Sequence, residues 1–151
     1  MPIPDFTPGG YLPPGVHECT IRELQSRFGS FQRSDRRPRL FARLEQFLAE
    51  ARQTGLIAAV VVDGSFVTAI DEPNDVDLLL LVRRGHDFSA ALRPFEYNVV
   101  SSRQVRKRHG LDILVAAEGS APAARFEAFF AGVRDVPGAT KGLVRILVGS
   151  N

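Results

Sequence analysis

An α/β (α+β) domain, a small mixed β-sheet with helices packed on it, is the fold class this sequence predicts. Three observations carry the expectation. Largely apolar runs of strand length stand at Leu56–Val62, Asp75–Val82 and Leu111–Ala116. Between them lie segments whose apolar residues recur at three- and four-residue steps, the clearest from about Asp35 to Thr54. Turn residues such as Gly55, Gly64 and the Pro137-Gly138 pair separate the periodic segments. At 151 residues, 44% of them hydrophobic, the chain can bury a core of its own, and one domain is the expectation.

The elements follow in order. Residues 1–15 carry Pro2, Pro4, Pro8, Pro13 and Pro14 with Gly9 and Gly10, which forbids regular helix and predicts an extended arm packed on the domain or on a neighbour. Residues 16–151 then form the single domain. Thr20-Ile21-Arg22-Glu23 is a capping-box pattern and starts a short helix from Ile21 to about Phe28, stopped by Gly29. Leu40, Phe41, Leu44, Phe47, Leu48 and Ala51 make the stripe of a long amphipathic helix that ends at Gly55.

After the first strand comes a short turn or helix at Phe66–Ile70, and after the second an ill-defined stretch, Asp87–Val100, in which Phe95–Val100 is a candidate extra strand. Ser102–His109 reads as a helix. Ala121–Val133 is another, with Pro122 in its first turn and Phe126, Phe129 and Phe130 on a side expected to complete the core. Gly142–Val148 is apolar and β-branched enough for a closing strand.

Composition excludes several classes. Cys19 is the only cysteine, so no internal disulfide can form. No stretch is apolar for the length of a membrane span and the N-terminus lacks a signal pattern, so the expected location is cytoplasmic, with no membrane partner. Net charge is only +2, which leaves nucleic-acid binding open rather than announced. Arg33, Arg36, Arg37 and Arg39 form one local basic cluster and Arg103, Arg106, Lys107, Arg108 and His109 another; the second reads first as a solvated helix face and could also draw in an anionic acceptor or polyphosphate. His17, His86 and His109 are scattered and not at metal-ligand spacing.

The chemistry concentrates between Val60 and Ala116. An apolar run ends in Gly64-Ser65, and a second opens with Asp75-Val76-Asp77. On a strand those two carboxylates share a face and would repel each other unless a cation lay between them. Magnesium suits the place, because it takes one or two carboxylates and fills its shell with water and substrate phosphates. Gly64 admits close backbone approach, and the Ser65 hydroxyl and nearby N–H groups can hold phosphate oxygens. Asp112 is the only charge in an apolar run, which calls for a partner or a metal. Asp63 reads as structural, accepting backbone hydrogen bonds before Gly64. Thr68 can reach phosphates or cap the short helix, the cap being its commoner use.

Gly64-Ser65, nine intervening residues, Asp75-Val76-Asp77 and then the isolated Asp112 resemble the nucleotidyltransferase fold of the DNA polymerase beta superfamily. Leu12-Pro13-Pro14-Gly15-Val16-His17, Gly64-Ser65-Phe66-Val67-Thr68, Phe129-Phe130 and Lys141-Gly142 further resemble a family of small bacterial nucleotidyltransferase-like proteins of unassigned function. The resemblance implies that Asp75, Asp77 and Asp112 ligate magnesium, or alternatively manganese, and that Gly64 and Ser65 hold the triphosphate. Lys141 lacks a counterpart in the general motif and joins Thr68 as a further substrate-binding candidate.

The activity so implied is transfer of a nucleoside monophosphate from a nucleoside triphosphate, ATP favoured, to a protein, small-molecule or RNA acceptor. Small stand-alone members of the superfamily are often antitoxins of toxin–antitoxin pairs with a helical HEPN-type partner protein. The alternative is a catalytically weak or inactive module that binds nucleotide or a partner on the same fold. A third option is an RNA-binding accessory using the two arginine clusters.

Overall fold

The computed structural model describes residues 3–148, so Met1, Pro2 and residues 149–151 of the two expected segments lie outside the described residues. The elements run β1 (Gly15–Cys19), α1 (Ile21–Phe28), α2 (Arg36–Thr54), β2 (Ile57–Asp63), one 3-10 turn (Ser65–Val67), β3 (Asp77–Val82), α3 (Pro94–Val100), α4 (Ser102–His109), β4 (Asp112–Ala117), α5 (Ala121–Ala131) and β5 (Gly142–Leu147). The fold is the mixed α+β class expected, with five strands in the order β1-β5-β2-β3-β4. The two edge pairs, β1 with β5 and β3 with β4, are parallel, and the central pairings are antiparallel.

Alternation of side chains across the strands divides the core in two. On one face Val60, Val62, Leu78, Leu80, Val82, Val144 and Ile146 pack with Leu24, Phe28, Leu40, Leu44, Phe47, Val99 and Val105 from α1 to α4. On the other, Ala59, Val61, Leu79, Leu81, Ala116 and Leu143 pack with Ala123 and Phe130 of α5. Burial on both faces explains why β2 and β3 read as continuous apolar runs instead of alternating ones. Among the described residues α5 is the one helix packed on the second face, and the uncovered end of that face becomes the cleft described below. Among the described residues no helix is long and apolar enough to cross a membrane.

Helix signals in the sequence act as expected. Thr20 Oγ1 accepts from Glu23 N at 3.1 Å while Glu23 Oε1 accepts from Thr20 N at 2.9 Å, and Gly55 closes α2 in the left-handed region at φ 69°. Two segments differ from expectation. Phe95–Val100 is helix, because Pro94 holds its first position and Glu96 Oε1 accepts from Arg93 N at 2.8 Å; six apolar-rich residues are too few to show a period. β1 is a strand that the local sequence does not announce, since its pairing with β5 joins opposite ends of the chain and Val16 and Glu18 leave it little local pattern.

The proline-rich arm packs on the domain itself. Ile3 and Leu12 are buried, Arg27 lies over the Phe6 ring at 4.6 Å, and Gly142 N donates to Leu12 O at 2.8 Å. A Cβ at Gly142 would sit 2.1 Å from Pro13 O, so the arm's seat on β5 requires glycine there.

Candidate active site

Strand register gathers the carboxylates. Asp63, at the end of β2, pairs across the ladder with Asp77, the first residue of β3, and Asp77 pairs in turn with Asp112, the first residue of β4. Directly paired residues project to the same face, so these three aspartates form a row across three strands on the face that α5 covers. The row lines a cleft of about 780 Å³, which Phe129 and Phe130 at the end of α5 and Lys141 before β5 also line. Gly64, Ser65, Thr68 and Asp75 line the same cleft. Every site residue singled out in the sequence is therefore brought to one place.

Asp75 arrives there by a different route from the one expected, because β3 begins at Asp77 and Asp75 lies in the approach to it. The Gly-Ser turn holds it. Ser65 N donates to Asp75 Oδ1 at 3.0 Å, the Ser65 hydroxyl donates to the same oxygen, and that hydroxyl accepts from Asn74 N at 2.9 Å and Asp75 N at 3.2 Å. Gly64 makes the turn possible, with φ 96° and no room for a side chain: a Cβ would lie 2.8 Å from Asp75 O. Thr68 Oγ1 donates to Ser65 O at 2.7 Å, so its hydroxyl closes the turn.

Charge is unevenly distributed over this arrangement. Burial pushes the Asp75 carboxyl upward, but the hydrogen bonds from Ser65 outweigh it and hold Asp75 below the usual carboxylate range. Burial first, and then the charges of Asp75, Asp63 and Asp112, push Asp77 up to about 6. Asp63 is buried and its Oδ1 has no well-directed hydrogen bond; Lys141 Nζ, 3.0 Å away, is its counterion. Asp112 is half-exposed and pairs with Arg106 of α4.

Among the described residues these four carboxylates thus make ion pairs with one lysine and one arginine, and neither Asp75 nor Asp77 has one. Hard oxygen donors in excess are the chemistry a divalent cation satisfies, so the residues fit magnesium or manganese. As they stand, among the described residues, no three acidic, histidine or cysteine side chains converge closely enough to hold a metal ion; Asp75 is held by Ser65 and Asp112 by Arg106.

Several participants were not singled out in the sequence. Asp63 was read as a structural turn residue, whereas its carboxylate belongs to the row; its register with Asp77 could not be read from either strand alone. Arg37 was counted as part of a basic cluster, yet it is buried, and its guanidinium donates to the carbonyls of Phe28 at 3.2 Å, Phe66 at 2.6 Å and Thr68 at 2.8 Å, and also to Ile70 O. It anchors α2 to the turn that follows Ser65. Its signal was present, since Arg37, Leu40, Phe41 and Leu44 share helical spacing and put a cation on the apolar stripe. His109, the last residue of α4, is buried, packed on Phe47 and 3.2 Å from Glu50 Oε1. Phe129 is 74% exposed, so the aromatic side of α5 does not all join the core as expected.

The structure defines a small α+β protein with an acidic cleft at one end of a mixed sheet. Over residues 4–147 the chain matches, and so belongs to, DUF6932, a family of unknown function. No curated protein and no solved structure matches it.

Proposed function

We propose that this protein is a metal-dependent nucleotidyltransferase that moves a nucleoside monophosphate from a nucleoside triphosphate, ATP favoured, to a protein, small-molecule or RNA acceptor. The observation that carries the reading is the register of Asp63, Asp77 and Asp112 beside the Gly64-Ser65 turn. Asp75, Asp77 and Asp112 would hold magnesium or manganese, which when bound neutralises the triphosphate and eases loss of the acceptor's proton.

The chain's own residues supply the rest. The Gly64-Ser65 turn offers backbone N–H groups and a hydroxyl to phosphate oxygens, while Thr68 keeps the turn in shape. Lys141 presents an ammonium to the polyphosphate, and the buried Asp63 keeps that ammonium in place. The acceptor oxygen attacks the α-phosphorus as the bond to the bridging oxygen breaks, and pyrophosphate leaves. Asp112, half-exposed at the cleft mouth, takes the acceptor's proton.

The resemblance to small stand-alone nucleotidyltransferases extends the proposal to a helical HEPN-type partner protein as acceptor, with this chain as its antitoxin, and to a cytoplasmic location. The pairing of Asp112 with Arg106 favours a second reading, a module that binds nucleotide or a partner without turnover. The two separate on incubation with magnesium and each nucleoside triphosphate labelled at the α-phosphate, with and without the helical partner or RNA. Metal-dependent label transfer supports the enzyme; metal-dependent binding with no transfer to any acceptor supports the module.

A further inference from the structure

The cleft lining is of two chemical kinds. Carboxylates and Lys141 make up one, and Phe129, Phe130, Ile70 and Tyr11 belong to the other. Two large apolar side chains are conspicuously wet there, Phe129 at 74% and Ile70 at 51% exposure. The next residue on α5, Phe130, is buried in the sheet packing and fixes the helix on the sheet, so Phe129 is held at the rim by a rigid element. Among the described residues its one ring neighbour is Phe130, with centroids 6.2 Å apart.

The rim ring and the phosphate-side lysine are tied together through the backbone. Lys141 N donates to Ala131 O at 2.8 Å, and Gly132 pairs with Thr140 in an antiparallel bridge, so backbone bonds hold Lys141 beside the end of α5. A cleft with an ionic floor and an aromatic rim fits a ligand with a polyanionic end and a flat apolar end.

We propose that Phe129 is the stacking platform for the base of the nucleoside triphosphate, an inference that rests on the nucleotide reading above. Such a platform meets the ring face rather than the base edges, so it prefers purines over pyrimidines by stacking area and separates adenine from guanine weakly.

The chain contains no tryptophan, so Phe129→Trp installs a sole indole at the rim, excitable selectively over Tyr11 and Tyr97. The test compares manganese-ATP with manganese-tripolyphosphate, which has the anionic end and no base. Phe129→Ala is expected to weaken ATP binding about tenfold or more while leaving tripolyphosphate affinity unchanged. Phe129→Trp is expected to keep ATP affinity and to be quenched by ATP but not by tripolyphosphate. The platform is overturned if Phe129→Ala binds ATP as the wild type does, or if the wild type binds ATP no more tightly than tripolyphosphate. Those results would leave the phosphate site standing and assign Phe129 to another contact. Binding of neither ligand by the wild type would overturn the nucleotide reading together with the platform.

Discussion

Ser65 donates both its backbone N–H and its hydroxyl to one oxygen of Asp75. In the nucleotide reading proposed above, the turn that would offer groups to phosphates is therefore closed on one of the carboxylates that would hold the metal, and ligand entry would redistribute these bonds. Ser65→Ala removes the hydroxyl and leaves Asn74 N and Asp75 N without their acceptor. At this partly solvated turn the loss is expected to be about 1 kcal/mol at pH 7. Asp75 is held below its ordinary range, so its share of the stability is present above the unfolded value of 3.8 and is lost as pH falls through the folded value. Urea unfolding at pH 7 and pH 3 should show the gap between wild type and variant narrowing in acid; a wider gap in acid would contradict the assignment.

Asp77 titrates in the opposite sense. Its folded value, about 6, lies above the ordinary 3.8, so its favourable contribution is complete below pH 4 and disappears as pH rises through 6. Asp77→Asn is therefore expected to stabilise the metal-free protein at pH 7–8 by about 1–2 kcal/mol, allowing for solvent screening of a partly exposed group. It should also flatten the change in stability between pH 4 and pH 7. Chemical denaturation across that range is the measurement, and a variant less stable than wild type at pH 8 would show that Asp77 is structural.

Arg106 competes for Asp112. The pair is exposed, at 71% and 53% of the two side chains, so Arg106→Ala should change stability by less than about 1 kcal/mol. Freed of that guanidinium, Asp112 is expected to raise the affinity for manganese several-fold in calorimetry. Weaker manganese binding by the variant would remove Arg106 from this role.

Arg37 does not line the cleft, yet the shape of the turn depends on it. Arg37→Met fills the volume but leaves the carbonyls of Phe28, Phe66, Thr68 and Ile70 without their donor. A loss of about 3–4 kcal/mol in unfolding free energy is expected, with faster proteolysis in the 66–70 segment. An unchanged midpoint would mean that water replaces the guanidinium without cost.

What could be read from the chain and what could not divides along sequence distance. The central strands, α1 and α2 were legible because their signals are local: apolar runs, a capping box at Thr20 and Glu23, a terminating Gly55. Gly64, Ser65, Asp75 and Asp77 were legible because a short spacer joins them. The row itself was not, since Asp63 joins it only through pairing with Asp77, a property of two strands together. Phe129 misled for a related reason. Helical spacing places it beside Phe126 and Phe130, but whether a sheet lies opposite depends on where that sheet ends.

The most direct test of nucleotidyl transfer is the fate of two labels on ATP, one at the α- and one at the γ-phosphate, with magnesium and each candidate acceptor. The account predicts that the α label moves to an acceptor while the γ label leaves as pyrophosphate, that both events stop in excess chelator, and that Asp77→Asn abolishes them while remaining folded. Transfer of the γ label instead, or α-label transfer at wild-type rate by Asp77→Asn, would contradict it.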